Sequence, residues 1–145
     1  MLENISDNAT IINAEDTIIG RLASVVAKRI LLGENIIIVN AEKGLISGNP
    51  GSIAKKYLQR YHIKTKSNPL KGPFFPRKPD QILKKTIRGM LPYRKTRGKE
   101  AYKRLKVYAN FPSIFQDKEI EIPVESQRNN PKSSYISLGE LYTKI

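Results

Sequence analysis

Cysteine and tryptophan are absent from this 145-residue chain, and histidine occurs once, as His62. Without cysteine there are no disulfides and no thiolate metal sites. One histidine leaves no second imidazole for a histidine-based metal site, so neither metal nor cofactor is expected. No apolar run approaches the ~20 residues of a membrane span. Met1 to Asp7 is acidic and polar and lacks the charged-then-apolar order of a secretory signal, so a cytoplasmic protein is expected. Length points to one domain with a real core and leaves little room for two.

Acidic residues are the other shortage, and it is local. Between Lys55 and Lys106 there are 18 basic residues and only two acidic ones, Asp80 and Glu100, a net +16. The rest of the chain has 8 basic residues against 11 acidic, a net −3, within the overall +13. Such a window repels itself unless a polyanion neutralises it, and a near-neutral body with one cationic segment is the footprint of a nucleic-acid binder. Aliphatic residues are distributed the opposite way. Of 24 Ile and Val, only Ile63, Ile82 and Ile87 lie in the basic window. The core is therefore built mainly before Lys55, with contributions after Lys106.

Periodicity organises the first third of the chain. Thr10 to Asn13 reads as a strand ending in the polar turn Ala14 to Thr17. From Gly20 to Leu32, Leu22, Val25, Val26 and Ile30 recur at helical spacing, and Gly33 supplies a left-handed stop. Ile36-Ile37-Ile38-Val39 is a β-branched run suited to a strand buried on both faces of a parallel sheet. Together they form a right-handed βαβ unit. Asn49-Pro50 starts the next helix, since Asn caps and Pro at the first helical position lacks only an N–H that would be orphaned anyway. That helix is predicted to run to about Thr65, with Ile53, Tyr57 and Tyr61 on one stripe and Lys56, Arg60 and Lys64 on another.

Beyond Thr65 proline and glycine set the pattern. Ser67 to Pro79 holds four prolines, Gly72 and the pair Phe74-Phe75, which excludes regular helix or a central strand. Pro79 to Gly89 is predicted as a helix carrying Ile82, Leu83 and Ile87. Tyr93 to Lys99 is predicted as a basic loop, Lys99 to Leu105 as a short helix, and Val107 to Ala109 as a last core strand. Beyond Phe111 prolines and acidic residues return, and Ser137-Leu138-Gly139-Glu140 fits a capping box that opens a docked terminal helix.

Catalytic motifs are weak. Gly44 to Gly51 occupies the place of a phosphate-cradling loop, yet its spacing fits neither GxGxxG nor the Walker pattern, which needs a lysine where Gly51-Ser52 stand. These glycines are read as permitting positive φ in a tight connection. Glu15, Asp16, Glu34 and Glu42 are too scattered for a carboxylate pair. His62, beside Arg60 and Lys64, reads as a packing or phosphate-facing residue. The basic window suits RNA better. Its cations sit largely in Pro/Gly-interrupted loops that can follow an irregular surface, and Phe74, Phe75 and Tyr93 can stack on unpaired bases. For the Phe pair, an anchor holding the loop to its own domain is an equal alternative. No DNA-reading module is visible.

Three blocks together carry a family resemblance: Ile18-Ile19-Gly20-Arg21-Leu22-Ala23-Ser24, Asn40 through Asn49, and Ile87-Arg88-Gly89-Met90-Leu91-Pro92. Thr96-Arg97-Gly98 and Leu105-Lys106-Val107-Tyr108 come after the third block. From about Thr10 to Pro112 the chain resembles the universal large-subunit ribosomal protein family thirteen (L-thirteen), in its archaeal or eukaryotic form. One departure is Asn110-Phe111-Pro112 where the family usually has Gly-Ile-Pro, a turn in which Asn could accept positive φ. The resemblance implies a three-layer α/β/α fold around a small, mainly parallel four-stranded sheet with basic loop extensions. Residues 1–112 would form the rRNA-binding domain, with the basic region at 55–106, and residues 113–145 a C-terminal extension. No catalysis is implied. Expected partners are large-subunit rRNA and neighbouring large-subunit proteins, with no membrane and no small-molecule substrate. Combined with the charge pattern, the candidate rRNA-binding residues are Lys56, Arg60, Lys64, Lys66, Lys71, Phe74, Phe75, Arg77, Lys78, Arg88, Tyr93, Arg94, Lys95, Arg97 and Lys99. Other classes remain: a free-standing RNA-binding or regulatory factor with the same surface, which would not sediment with ribosomal subunits, and an α/β nucleotide-using enzyme, which would bind mononucleotides tightly.

Overall fold

The computed structural model describes residues 8–130 and 132–145, so the expectations for Met1 to Asp7 lie outside the described residues. Among the described residues, strands β1 (Thr10–Asn13), β2 (Ile36–Val39), β4 (Leu105–Val107) and β5 (Ile120–Glu121) form one sheet in the order β4-β2-β1-β5. Every pairing in it is parallel. A second, two-stranded antiparallel sheet joins β3 (Leu45–Ser47) to β6 (Tyr135–Ser137). Helices are α1 (Ile19–Leu31), α2 (Pro50–His62), α3 (Pro79–Gly89), α4 (Thr96–Lys103) and α5 (Leu138–Lys144).

Strand β2 is buried at all four positions. Parallel partners on both sides, β1 and β4, consume its backbone hydrogen bonds, and its β-branched side chains fill both faces. On one face Ile12, Ile36 and Ile38 meet Leu22, Val26 and Ile30 of α1 and Ile82, Leu83 and Ile87 of α3. Leu138 and Leu141 of α5 close the same cluster. On the other face Ile11, Ile37 and Val39 are covered by Phe115, from the 3-10 turn Ser113–Phe115, with Tyr108 and Phe111 beside it. That second outer layer is a single turn and its flanking chain, much thinner than the helical layer opposite.

Local chemistry sets most boundaries as the sequence predicts. Gly33 takes φ 106° just past α1, and Asn49 caps α2 by accepting from the N–H groups of Gly51 and Ser52. The Ser137 hydroxyl accepts from Glu140 N–H at 3.1 Å, the first half of the capping box. Other expectations need correction. Helix α2 stops at His62, three residues early, leaving Lys64 off the helical stripe; Ile63 is already extended. The last strand of the βαβ run begins at Leu105, because α4 starts at Thr96 and ends at Lys103. Of the glycines between Gly44 and Gly51, only Gly48 takes positive φ, at 130°. Asn110 does not adopt positive φ; among the described residues, those that do so without being glycine are Asp16 and Asn40. With its amide nitrogen turned inward, Asn110 instead donates to both carboxylate oxygens of Glu42, at 3.0 and 2.8 Å.

The burial of Ile37, 2% exposed in the thinner of the two clusters, gives a direct check on the central strand. Ile37→Ala should lower unfolding free energy by about 2–5 kcal/mol, a large part of the ~5–15 kcal/mol of a small domain. Chemical denaturation measures it, and an unchanged midpoint would mean that β2 is not the sheet's buried centre.

Candidate nucleic-acid interface

Helix α3 carries the arrangement. Its apolar positions Ile82, Leu83 and Ile87 are buried, and the remaining positions turn Lys84, Lys85 and Arg88 outward. With Gln81 these recur at i, i+3, i+4 and i+7, one face of a helix. Lys78 precedes the helix without a side-chain cap bond, and Pro79 occupies its first turn.

The two irregular segments flanking α3 fold back onto that face. From the N-terminal side, Lys85 Nζ donates to the Phe74 carbonyl at 3.1 Å and lies 4.6 Å from the Phe75 ring centroid. Phe75 is partly buried, whereas Phe74 is 71% exposed. The two readings of the Phe pair therefore divide: Phe75 is the anchor, and Phe74 presents a bare ring. From the C-terminal side, the Arg88 guanidinium stacks over Tyr93 at 4.0 Å, and Tyr93 meets Tyr102 of α4 edge-on at 5.5 Å. Lys84 Nζ is 5.2 Å from the Tyr102 ring. Burial raises the Tyr102 and Tyr57 hydroxyl pKa values, partly opposed by Arg88 and Arg60 respectively, so both phenols stay neutral and add no negative charge to the surface.

These contacts make three adjoining clefts. Tyr57, Arg60, Tyr61, Phe75 and Ile82 line one. Phe74, Phe75, Lys84, Arg88 and Tyr102 line the next. Arg88, Pro92, Tyr93, Arg94 and Lys95 line the third. Lys85 lines all three. Arg60, Phe74, Phe75, Arg88, Tyr93, Arg94 and Lys95 are thus brought together among the candidate residues. Lys56, Lys64, Lys66, Lys71, Lys78, Arg97 and Lys99 are exposed but line none of these clefts. Lys71 ends a 3-10 turn, Pro69–Lys71, whose Leu70 N–H is accepted by Asn68. Arg97 and Lys99 stand on α4, a correction to the predicted loop that ended at Lys99. Arg77 is turned back on its own domain: its guanidinium lies 4.5 Å from the Tyr61 ring and donates to the Ile145 carbonyl.

Sequence reasoning passed over Lys84, Lys85 and Tyr102. The signal lies in the helical spacing of Gln81, Lys84, Lys85 and Arg88, opposite the apolar stripe of Ile82, Leu83 and Ile87. Gly98 was visible only as part of a motif. It is buried in α4, where a β-carbon would overlap the Pro92 carbonyl and sit 2.8 Å from Tyr93 N. The absent side chain lets α4 lie directly against the backbone that presents Tyr93, Arg94 and Lys95.

An α/β domain with an aromatic and cationic flank is the class that fold and surface define. The family profile for ribosomal protein L13 matches residues 7–113. Similar proteins include Large ribosomal subunit protein uL13 of Methanocaldococcus jannaschii, 49% identical over 133 residues, 91% of this chain and 93% of that protein. The uL13 of Methanosarcina barkeri is 47% identical over 138 residues, 94% and 96% of the two chains. That of Methanopyrus kandleri is 43% identical over 139 residues, 94% and 86%. The chain belongs to the ribosomal protein L13 family, of the archaeal type. Membership makes it a structural ribosomal protein and not an enzyme.

Gly98→Ala tests the packing beneath the third cleft. Alanine ordinarily favours an exposed helix interior by roughly 1 kcal/mol over glycine. Here overlap with fixed backbone should reverse the sign, destabilising by about 1–3 kcal/mol as overpacking does. A rise in thermal midpoint would show that α4 does not rest on Pro92.

Proposed function

We propose that the chain is a structural constituent of the large ribosomal subunit, in the cytoplasm, and binds large-subunit rRNA through the cationic flank built on α3. The observation that carries this reading is the convergence of Lys85 and Arg88 with Phe74, Tyr93 and Tyr102, a mixture of phosphate-pairing cations and ring faces on one side of the fold. Lysine and arginine neutralise phosphates and release counterions, which supplies affinity. Arginine also pairs bidentately with phosphate and stacks on rings. Exposed Phe74 offers a surface on which an unpaired base can stack, worth about 1–3 kcal/mol per base where it occurs. The candidate cations that line no cleft, Lys56, Lys64, Lys66, Lys71, Lys78, Arg97 and Lys99, extend the field along the backbone without fixing position. Neighbouring large-subunit proteins complete the expected partners.

Salt dependence tests the electrostatic part. If about 6–10 phosphates are neutralised, log K against log salt for an rRNA fragment should slope at about −4 to −9. A slope shallower than about −2 would remove the basic window from the interface. The triple variant Arg88→Ala, Arg94→Ala and Lys95→Ala tests the location. Filter binding should show at least about a tenfold loss and a slope shallower by about 2–3. Because these side chains are exposed, unfolding should move by no more than about 1 kcal/mol, most of it from the Arg88–Tyr93 stacking contact. Intact binding by a folded variant would place the interface elsewhere.

A further inference from the structure

Two glycines flank the loop that carries Tyr93, Arg94 and Lys95, and the fold needs only one of them. At Gly98 the place of a β-carbon is filled by the Pro92 carbonyl. Gly89, the last residue of α3, is not among the residues of positive φ, and a β-carbon built on it meets nothing within 4 Å. Neither conformation nor packing asks for glycine there, and alanine is the better helix former. Gly89 is exposed and lines the third cleft. That cleft measures about 620 Å3, within the roughly 300–1,000 Å3 of sites that take a small ligand. The missing side chain leaves room at its wall that the protein itself does not use.

The lining has the chemistry of a nucleotide site. Lys85, Arg88, Arg94 and Lys95 surround the cleft and no carboxylate does, which selects an anion. Leu91 and Pro92 add an apolar wall, which a bare phosphate or an acidic side chain would leave uncovered. Arg88 is held 4.0 Å from the Tyr93 ring, so its guanidinium is in place before a ligand arrives. The Gly89 carbonyl has no backbone partner among the described residues. Three residues on, Pro92 has no N–H, and the Tyr93 N–H is taken by the Leu91 carbonyl at 2.8 Å. An open acceptor beside four cations calls for a donor on the same anionic molecule. We propose that this cleft takes one unpaired ribonucleotide of the rRNA, its base on Leu91 and Pro92, its phosphates on Arg94 and Lys95, and its 2′-hydroxyl donating to the Gly89 carbonyl. The inference rests on the rRNA reading above and adds which part of the RNA is recognised. A base inside a duplex has both faces stacked and its pairing edge occupied, so it cannot enter; one in a loop or bulge can. A β-carbon at position 89 stands where the ribose comes closest.

The test compares the full chain with its Gly89→Ala variant on transcribed large-subunit rRNA, by filter binding and by acylation of the RNA 2′-hydroxyls in saturated complexes. Gly89→Ala should keep or raise the thermal midpoint. It should weaken binding by about tenfold or more, as loss of a hydrogen bond with its partner left unpaired does. Its salt slope should stay within about 1 of the unchanged chain's, because no phosphate contact is removed. An unpaired nucleotide should be protected by the unchanged chain and become reactive with the variant. Equal affinity of the two chains, or weaker binding with no unpaired nucleotide changing, overturns the nucleotide site, while a steep slope for the unchanged chain leaves the rRNA interface standing. A lowered thermal midpoint overturns the site too, since the protein would then be using the space itself. A slope for the unchanged chain shallower than about −2 removes the rRNA interface, and this site with it.

Discussion

Burial of Ile82, Leu83 and Ile87 against α1 is the interaction on which the exposed surface depends. A helix anchored on one side by three aliphatic residues can hold closely spaced cations on the other, and Lys84, Lys85 and Arg88 repel one another across less than two turns. Roughly 1.5–3 kcal/mol for each fully buried aliphatic side chain outweighs the few tenths of a kcal/mol that like-charge neighbours cost on an exposed helix face. Once α3 is fixed, it fixes the segments on either side. Lys85 holds the Phe74 carbonyl and the Phe75 ring, and Arg88 holds Tyr93, so the irregular stretches on either side of α3 acquire a common platform.

Around that platform the structure separates two kinds of surface. The cationic window faces outward from α2, α3 and α4; α2 has no buried residue and α4 buries only Gly98 and Ala101, so α3 supplies most of their anchorage in the core. The acidic residues gather at the carboxyl ends of β1 and β2 and along β5. There Glu15 pairs with Lys43 at 2.9 Å, which holds its carboxyl below the usual value. Both side chains are about half exposed, so this pair orients a turn and adds little stability. Arg29 is engaged more firmly, bridging Glu34 and Glu121 at 2.8 Å each and tying α1 to the short strand β5.

How much of this the sequence disclosed depends on whether the determinant was local. The Ile36–Val39 run, the caps at Asn49 and Ser137, and Pro79 at the head of α3 act through neighbouring residues, and each led to the correct element. Strands β3, β5 and β6 did not announce themselves. Each is two or three residues long and exists because a distant segment supplies its partner: Leu45 opposite Ser137, Ile11 beside Ile120. Phe115 reads as part of a loosely patterned tail, yet it is fully buried, because its site is formed by Ile11, Ile37 and Val39 far earlier in the chain. The early start of α4 had the same cause. Its buried Gly98 is a poor helix former held in place by the Pro92 backbone, a tertiary contact that no local pattern encodes.

The candidate site shows the same division. Charge density located the region, and the motif Ile87 to Pro92 located its centre, but which cations converge was set by tertiary folding. Lysine reactivity in the assembled subunit addresses that convergence most directly. Reductive methylation of the free protein and of large subunits containing it, read by mass spectrometry, compares each lysine with itself. The account predicts strong protection of Lys85 and Lys95 on assembly, while exposed Lys28 and Lys132, outside the basic window, remain reactive. Equal reactivity of Lys85 and Lys95 in the two states would contradict the claim that the α3 flank is the surface that meets rRNA.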